Sequence, residues 1–201
     1  MPIAKNRRKK FERDFFQKYY HDRRAAVTDL RETQRVAAFV IHYLRFLCIP
    51  IKSILDVGCG LCLWRRALER IAPGIRYVGI DPSGYTARRY GSIQMTVGEI
   101  DTRSQYDLVV CQDMLQYLSD AEAAEAIQKF SSLSRYALYC QVITHEDWEK
   151  GACERSQTDT HIALRPSAWY RRRLHRDFLP LGGGLYSLKS EAPSLFELEK
   201  V

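Results

Sequence analysis

Two acids and two glycines carry the strongest chemical signal in this chain. An apolar run from Ile54 brings Asp56 into Gly58-Cys59-Gly60, and helical spacing then begins with Leu63, Ala67, Leu68 and Ile71. The pattern predicts a strand, a tight glycine turn and a helix N-terminus. Such a unit exposes backbone N–H groups and lets a ligand approach the main chain closely. Asp81 ends a second apolar run over residues 75–80 and is followed by Pro82. A carboxylate accepts two hydrogen bonds and donates none, which suits the two hydroxyls of a ribose lying across the first glycine turn. It also repels a 2′-phosphate. Glu99 follows a third short run, residues 93–97, and stands where an adenine exocyclic amine would be met.

Three glycine-loop chemistries compete for this unit. A phosphate loop of the Gly-x-x-x-x-Gly-Lys-Ser/Thr type needs a lysine that this chain lacks. The nicotinamide fingerprint Gly-x-Gly-x-x-Gly/Ala wants a small third residue for close helix–strand packing, and here that position holds Leu63. The third is the Asp-x-Gly-x-Gly loop of class I S-adenosylmethionine-dependent methyltransferases, which this chain resembles. The resemblance covers residues 54–62, Asp81, Glu99 and the strand and loop over 107–118. It implies S-adenosyl-L-methionine as cofactor, held by Asp56, Gly58, Cys59, Gly60, Asp81, Pro82, Glu99, Ile100, Cys111 and Gln112. The acid at 56 would serve the ligand's ammonium and the acid at 81 its ribose. The chain departs from the pattern at Cys62, where such loops often carry a third glycine. Cysteine there predicts tighter packing or a slightly displaced cofactor. Cys59 and Cys62 also spell Cys-x-x-Cys, but no second pair stands at metal spacing, so no metal is expected.

The elements that must position these residues follow from periodicity. Apolar and β-branched runs predict strands over 51–57, 75–80, 93–97, 106–111 and 135–144, and a further pair over 185–189 and 195–201. Helices are predicted over 11–20, from an N-cap at Thr28 or Asp29 to about 48, over 85–90, over 121–130 behind Ser119 or Asp120, and over 168–178 behind Pro166. The buried face of the second helix is expected to hold Val36, Phe39, Val40, Tyr43, Leu44 and Leu47. The resemblance adds the architecture: an α/β three-layer sandwich with a mostly parallel seven-stranded sheet, a closing antiparallel hairpin and helices on both faces. Residues 1–50 are expected to form a helical cap or lid, with Tyr19, Tyr20 or Arg35 closing over a ligand. Residues 51–201 then form the methyltransferase domain.

Bulk properties narrow the setting. A chain of 201 residues with 46% hydrophobic and 27% charged residues has the length and composition of one globular domain. No run approaches the roughly 18 uninterrupted apolar residues of a membrane span, and the basic start lacks the apolar segment of a secretory signal. Six cysteines, several inside strand-like runs, fit buried free thiols in a reducing compartment, so a cytoplasmic location is expected. The net charge is +7, and residues 1–24 alone hold nine basic residues against three acidic. A second basic group is Arg165, Arg171, Arg172, Arg173 and Arg176. Such clusters attract nucleic acid or anions, or simply form solvated faces.

In the family resembled, the segments after the fourth and fifth strands and the N-terminal helices build the acceptor site. That implies Tyr19, Tyr20, Gln116, Tyr117, Trp148, Arg165, Trp169 and Tyr170 as substrate candidates. Asp113 and His145 are candidates for a general base, needed if the acceptor is an oxygen or an acidic carbon. The expected activity is methyl transfer to a small molecule. An RNA-directed methyltransferase using the basic N-terminus is a second reading, although Cys111-Gln-Asp-Met stands where enzymes acting on base amines carry an Asn/Asp-Pro-Pro-Tyr/Phe motif. A non-catalytic cofactor-binding scaffold is a third.

Overall fold

The computed structural model describes residues 11–21, 28–153, 155 and 158–193. The described residues open with a short helix α1 (Arg13–Phe16) that widens into a π-helical stretch, Gln17–His21. Helix α2 (Leu30–Phe46) starts at Asp29, whose side chain accepts from the Glu32 amide at 2.8 Å. Then follow β1 (Ser53–Val57), α3 (Leu63–Ile71), β2 (Arg76–Asp81), α4 (Gly84–Tyr90), β3 (Ile93–Gln94) and β4 (Tyr106–Gln112). The second half holds α5 (Asp120–Leu133), β5 (Ser134–Gln141), α6 (His145–Glu149), α7 (Ser167–Asp177), β6 (Phe178–Gly182) and β7 (Leu185–Leu188).

The seven strands form one sheet in the order β3-β2-β1-β4-β5-β7-β6. The first five are parallel; β7 runs antiparallel to β5, and β6 pairs antiparallel with β7 at the edge. Alternation along the strands sorts the core into two layers. Leu55, Val57, Val109, Cys111, Leu138 and Cys140 face α5 and α7 through Ala126, Ile127, Phe130 and Leu174. Ile54, Leu108, Val110, Ala137 and Tyr139 face α2 and α3 through Val40, Ile41, Leu44, Trp64 and Leu68. The predicted α/β architecture with a closing hairpin and helices on both faces is therefore present.

The hairpin keeps the strand predicted over 185–189 but pairs it with residues before it rather than after it. Its strands are Phe178–Gly182 and Leu185–Leu188, joined at Gly183 and Gly184, both with positive φ. Pro180 masks the first of these in sequence, because proline cannot donate to a ladder. As the edge strand of the sheet, β6 tolerates it. The strand predicted over 195–201 lies outside the described residues, as does the basic stretch 1–10. Helix α2 also turns differently from expectation: its buried residues are Thr33, Ala37, Val40, Ile41 and Leu44, while Phe39 is 44% exposed. The run 93–97 splits into the short β3 and a 3-10 turn, Val97–Glu99. Among the described residues, no helix is long and apolar enough to cross a membrane.

Candidate active site

The strand order reverses between β1 and β4, and there the crevice beyond the carboxyl ends opens. A cavity of about 260 Å³ occupies it. Its walls come from the ends of the parallel strands: Val57, Gly58 and Gly60 after β1, Ile80, Asp81 and Pro82 at β2, Met95 to Gly98 after β3, and Gln112, Asp113 and Met114 after β4. Its roof is α1 and the segment after it, with Phe11, Phe15, Phe16 and Tyr20.

The glycine turn is folded tightly. Gly58 and Gly60 have φ of 75° and 49°. A Cβ on Gly58 would stand 2.5 Å from Met114 Cγ, so glycine is required both for conformation and for space. The Gly58 and Cys59 amides donate to Ile80 O at 2.9 and 3.0 Å, tying the turn to β2. The Gly60 amide donates to Asp81 Oδ2 at 3.0 Å, and the Ser83 amide to Oδ1 at 2.9 Å. Asp81 is 6% exposed. Burial pushes its carboxyl up to about 6, against these hydrogen bonds, which pull it down. A carboxylate under that burden, facing a cavity, has acceptor capacity that two hydroxyl donors would satisfy. Its surroundings therefore fit a ribose.

Asp56, expected to serve the ligand's ammonium, stands behind the cavity wall. It is 3% exposed, lies beneath the turn and does not line the cavity. The Tyr77 hydroxyl donates to its Oδ2 at 2.7 Å, and burial pushes the carboxyl up to about 8. Room for this pair comes from Gly79: a Cβ there would stand 2.7 Å from the Tyr77 hydroxyl and 2.9 Å from Cys59 Sγ. A glycine inside a strand pattern is the signal of such a close approach. Cys62 is the N-cap of α3, fully buried, with φ 52°, the left-handed conformation that a third glycine would adopt freely. Its Sγ lies 3.6 Å from Cys59 Sγ. The hydrogen bond between them raises the Cys59 thiol and lowers that of Cys62.

Other sequence candidates separate into those the cavity gathers and those it does not. Pro82 and Gln112 line it, and Gln112 is fixed by Trp64 Nε1, which donates to its Oε1 at 2.9 Å. Cys111 is buried in the sheet core, Cys59 lies behind the turn, and Ile100 packs against the α5 layer. The Glu99 carboxylate is turned to its own 3-10 turn, where it accepts from the Thr96 amide and hydroxyl at 2.8 and 2.9 Å. Val97 and Gly98 line the cavity, and Glu99 does not.

A second cavity, about 440 Å³, adjoins the first and shares Tyr20, Asp113 and Tyr117 with it. Tyr19 and Gln116 also line it. Asp113 has φ 54°, and burial pushes its carboxyl up to about 6 against a hydrogen bond from Gln116. His145, Trp148, Arg165, Trp169 and Tyr170 line neither cavity. His145 begins α6 and pairs with Glu149 at 3.4 Å. Trp148 lies against Arg155. Arg165 is 4% exposed and clamps the loop after β4: it bonds Asp120 Oδ1 at 2.8 Å, Leu115 O at 3.1 Å, the Tyr170 hydroxyl at 3.0 Å, and Leu118 O. Trp169 stacks between Arg165 and Arg173. Arg165, with Trp169 and Tyr170 around it, thus holds the loop after β4 from outside both cavities. Arg35 is exposed and lines neither cavity.

Known proteins share this fold. A family model described as a methyltransferase domain matches residues 22–177. Among curated proteins none matches the sequence. Magnesium protoporphyrin IX methyltransferase (ChlM) from Synechocystis PCC 6803, with bound SAH, superposes with a TM-score of 0.62 at 16% identity, over 92% of this chain and 96% of that one. The plantazolicin methyltransferase BpumL, in complex with a pentazolic desmethylPZN analog and SAH, gives 0.63 at 15% identity, over 89% and 80%. An S-adenosylmethionine-dependent methyltransferase from Clostridium acetobutylicum ATCC 824 gives 0.61 at 10% identity, over 84% and 87%. These likenesses speak for the fold, and the family match covers most of the chain. The chain belongs to the methyltransferase-domain family and has the class I fold of the S-adenosylmethionine-dependent enzymes.

Proposed function

We propose that the protein binds S-adenosylmethionine in the first cavity and transfers its methyl group to a small-molecule acceptor held in the second. The observation that carries this reading is Asp81: a buried, under-solvated carboxylate at the carboxyl end of β2, bonded to the Gly60 amide and lining the same cavity as Gly58 and Gly60. In this reading Asp81 holds the ribose, Pro82 and residues 95–98 border the adenine, and the turn at Gly58–Gly60 follows the amino-acid moiety, with Asp56 beneath it. When bound, the cofactor supplies a methyl carbon on sulfonium, which passes to the acceptor's lone pair as the carbon–sulfur electron pair returns to sulfur.

The protein's part is position and electrostatics. Tyr20, Asp113 and Tyr117, common to both cavities, stand where the methyl group would cross. The rings of Tyr20 and Tyr117 can attract a sulfonium by about 0.5–2 kcal/mol. The segment 11–21 acts as a lid. Phe16 stacks on Tyr85 at 5.8 Å, Phe11 meets Tyr117 edge-on at 5.1 Å, and the Gly84 amide donates to Glu12 at 3.2 Å. A roof of this kind excludes water from the reacting groups. Free thiols at Cys59, Cys62, Cys111 and Cys140 support a cytoplasmic setting.

Calorimetry with S-adenosylmethionine and S-adenosylhomocysteine tests the reading. Wild type should bind both, and Asp81→Ala should bind at least about tenfold more weakly, the equivalent of one lost charge-assisted hydrogen bond. Absence of binding to wild type would overturn the cofactor assignment, and equal binding by Asp81→Ala the ribose assignment.

A further inference from the structure

The second cavity has a chemical character that its place beside the cofactor does not require. Three carboxylates line it, Asp113, Asp147 and Asp159, and among the described residues of its wall there is no lysine, arginine or histidine. This is an acidic chamber in a chain whose net charge is +7. Asp159 is 4% exposed. Gln116 supplies an independent sign. Its side chain is 2% exposed and lines the cavity, and its Oε1 has no hydrogen-bond partner among the described residues. A buried acceptor left without a donor costs free energy, so a site that keeps one is complementary to a ligand that brings the donor. Tyr19, Tyr20 and Tyr117 add π faces to the same wall, and such faces attract cations.

Resting on the proposal that the first cavity holds the methyl donor, we infer that the methyl acceptor is an amine, received as its ammonium form by the carboxylates and Gln116 Oε1 of the second cavity. Carboxylates and an unpartnered carbonyl oxygen reward N–H donors and positive charge, and they disfavour carboxylates and phosphates. Asp113 lies on the boundary with the first cavity and is the group placed to receive the proton. The ammonium gives one proton to Asp113 Oδ, so an ammonium and a carboxylate become an amine and a carboxylic acid. That frees the nitrogen lone pair which methyl transfer consumes. Asp113 returns the proton to solvent when product leaves. Burial already favours the protonated form of this carboxyl, so it accepts a proton more readily than a solvated aspartate.

The test uses matched pairs of probes on protein saturated with S-adenosylhomocysteine. Tyramine is compared with 3-(4-hydroxyphenyl)propionate, and tryptamine with indole-3-propionate, by calorimetry. Each amine should bind at least about tenfold more tightly than its carboxylate partner. Asp159→Asn should narrow that ratio while leaving S-adenosylhomocysteine affinity in place; the comparison of probes on wild type stands even if this variant folds poorly. Binding of S-adenosylhomocysteine without a preference for amines, or without amine binding at all, overturns the amine assignment alone. Failure of S-adenosylhomocysteine to bind overturns the cofactor reading, and the acceptor role falls with it.

Discussion

The Tyr77 hydroxyl donates a 2.7 Å hydrogen bond to Asp56 Oδ2 beneath the glycine turn, joining the side chains of two neighbouring parallel strands. The bond favours the carboxylate, but burial outweighs it and lifts the carboxyl to about 8. The folded protein therefore holds this proton more tightly than the unfolded chain. The contribution to stability is full below about pH 4, the unfolded value, and is lost as pH rises through about 8. Asp56→Asn keeps an acceptor for Tyr77 and cannot ionise. Its melting temperature relative to wild type should rise between pH 5 and pH 8.5, reflecting on the order of a few kcal/mol. A constant difference across that range, measured by circular dichroism, would show that Asp56 ionises without strain.

Gly79 pairs with Asp56 in the register of β1 and β2 and makes room for this contact. Gly79→Ala should drive a methyl group against the Tyr77 hydroxyl and Cys59 Sγ and cost about 1–3 kcal/mol. For a domain of this size that corresponds to a melting point lower by roughly 3–10 °C. An unchanged melting point would mean that the strand yields without disturbing the Tyr77–Asp56 pair.

Asp81 links cofactor affinity to acidity. In the proposed binding mode ribose hydroxyls donate to its ionised form, and burial pushes its carboxyl up to about 6. Affinity for S-adenosylhomocysteine should be flat above about pH 7 and should fall, approaching about tenfold per unit, as pH drops below 6. Calorimetry from pH 5 to 8 reads this directly. In Asp81→Asn the slope should flatten.

Arg165 holds the loop after β4 without lining either cavity. Replacing it with methionine leaves the Leu115 and Leu118 carbonyls and the Tyr170 hydroxyl short of a donor, at a cost of roughly 2–4 kcal/mol. Arg165→Lys should recover only part, because an ammonium cannot reproduce the guanidinium fork. Thermal unfolding of the two variants, ranked against wild type, checks this order.

The lid depends on Phe16, which is 2% exposed and packs over Gly60 and Tyr85. Phe16→Ala should release S-adenosylhomocysteine at least about tenfold faster in stopped flow, since affinity changes appear mainly in dissociation. An unaltered rate would mean that segment 11–21 covers the cavity without holding its contents.

The cofactor half was legible because its determinants are local. Asp56, Gly58, Gly60 and Asp81 sit at strand ends that apolar runs announce, and a single turn or pairing brings them together. The acceptor half depends on contacts across long sequence separations. Arg165 looks like a ligand-binding cation in sequence, and only tertiary structure directs it to carbonyls some fifty residues earlier. Trp169 and Tyr170 follow it, because they pack around the same guanidinium. Glu99 is drawn to its own turn for a local reason: Thr96 three residues before it forms a capping box, a signal present in the sequence. Strand β6 was hidden by Pro180, acceptable only because the strand is an edge, and edges are not visible in one strand's own residues.

A crystal of the protein soaked with S-adenosylhomocysteine shows where the ligand lies. Its ribose hydroxyls are expected within hydrogen-bond distance of Asp81, its amino-acid moiety along Gly58–Gly60, and its sulfur directed to the boundary formed by Tyr20, Asp113 and Tyr117. Ligand bound with its ribose away from Asp81, or its sulfur directed away from the second cavity, would contradict the proposed binding mode.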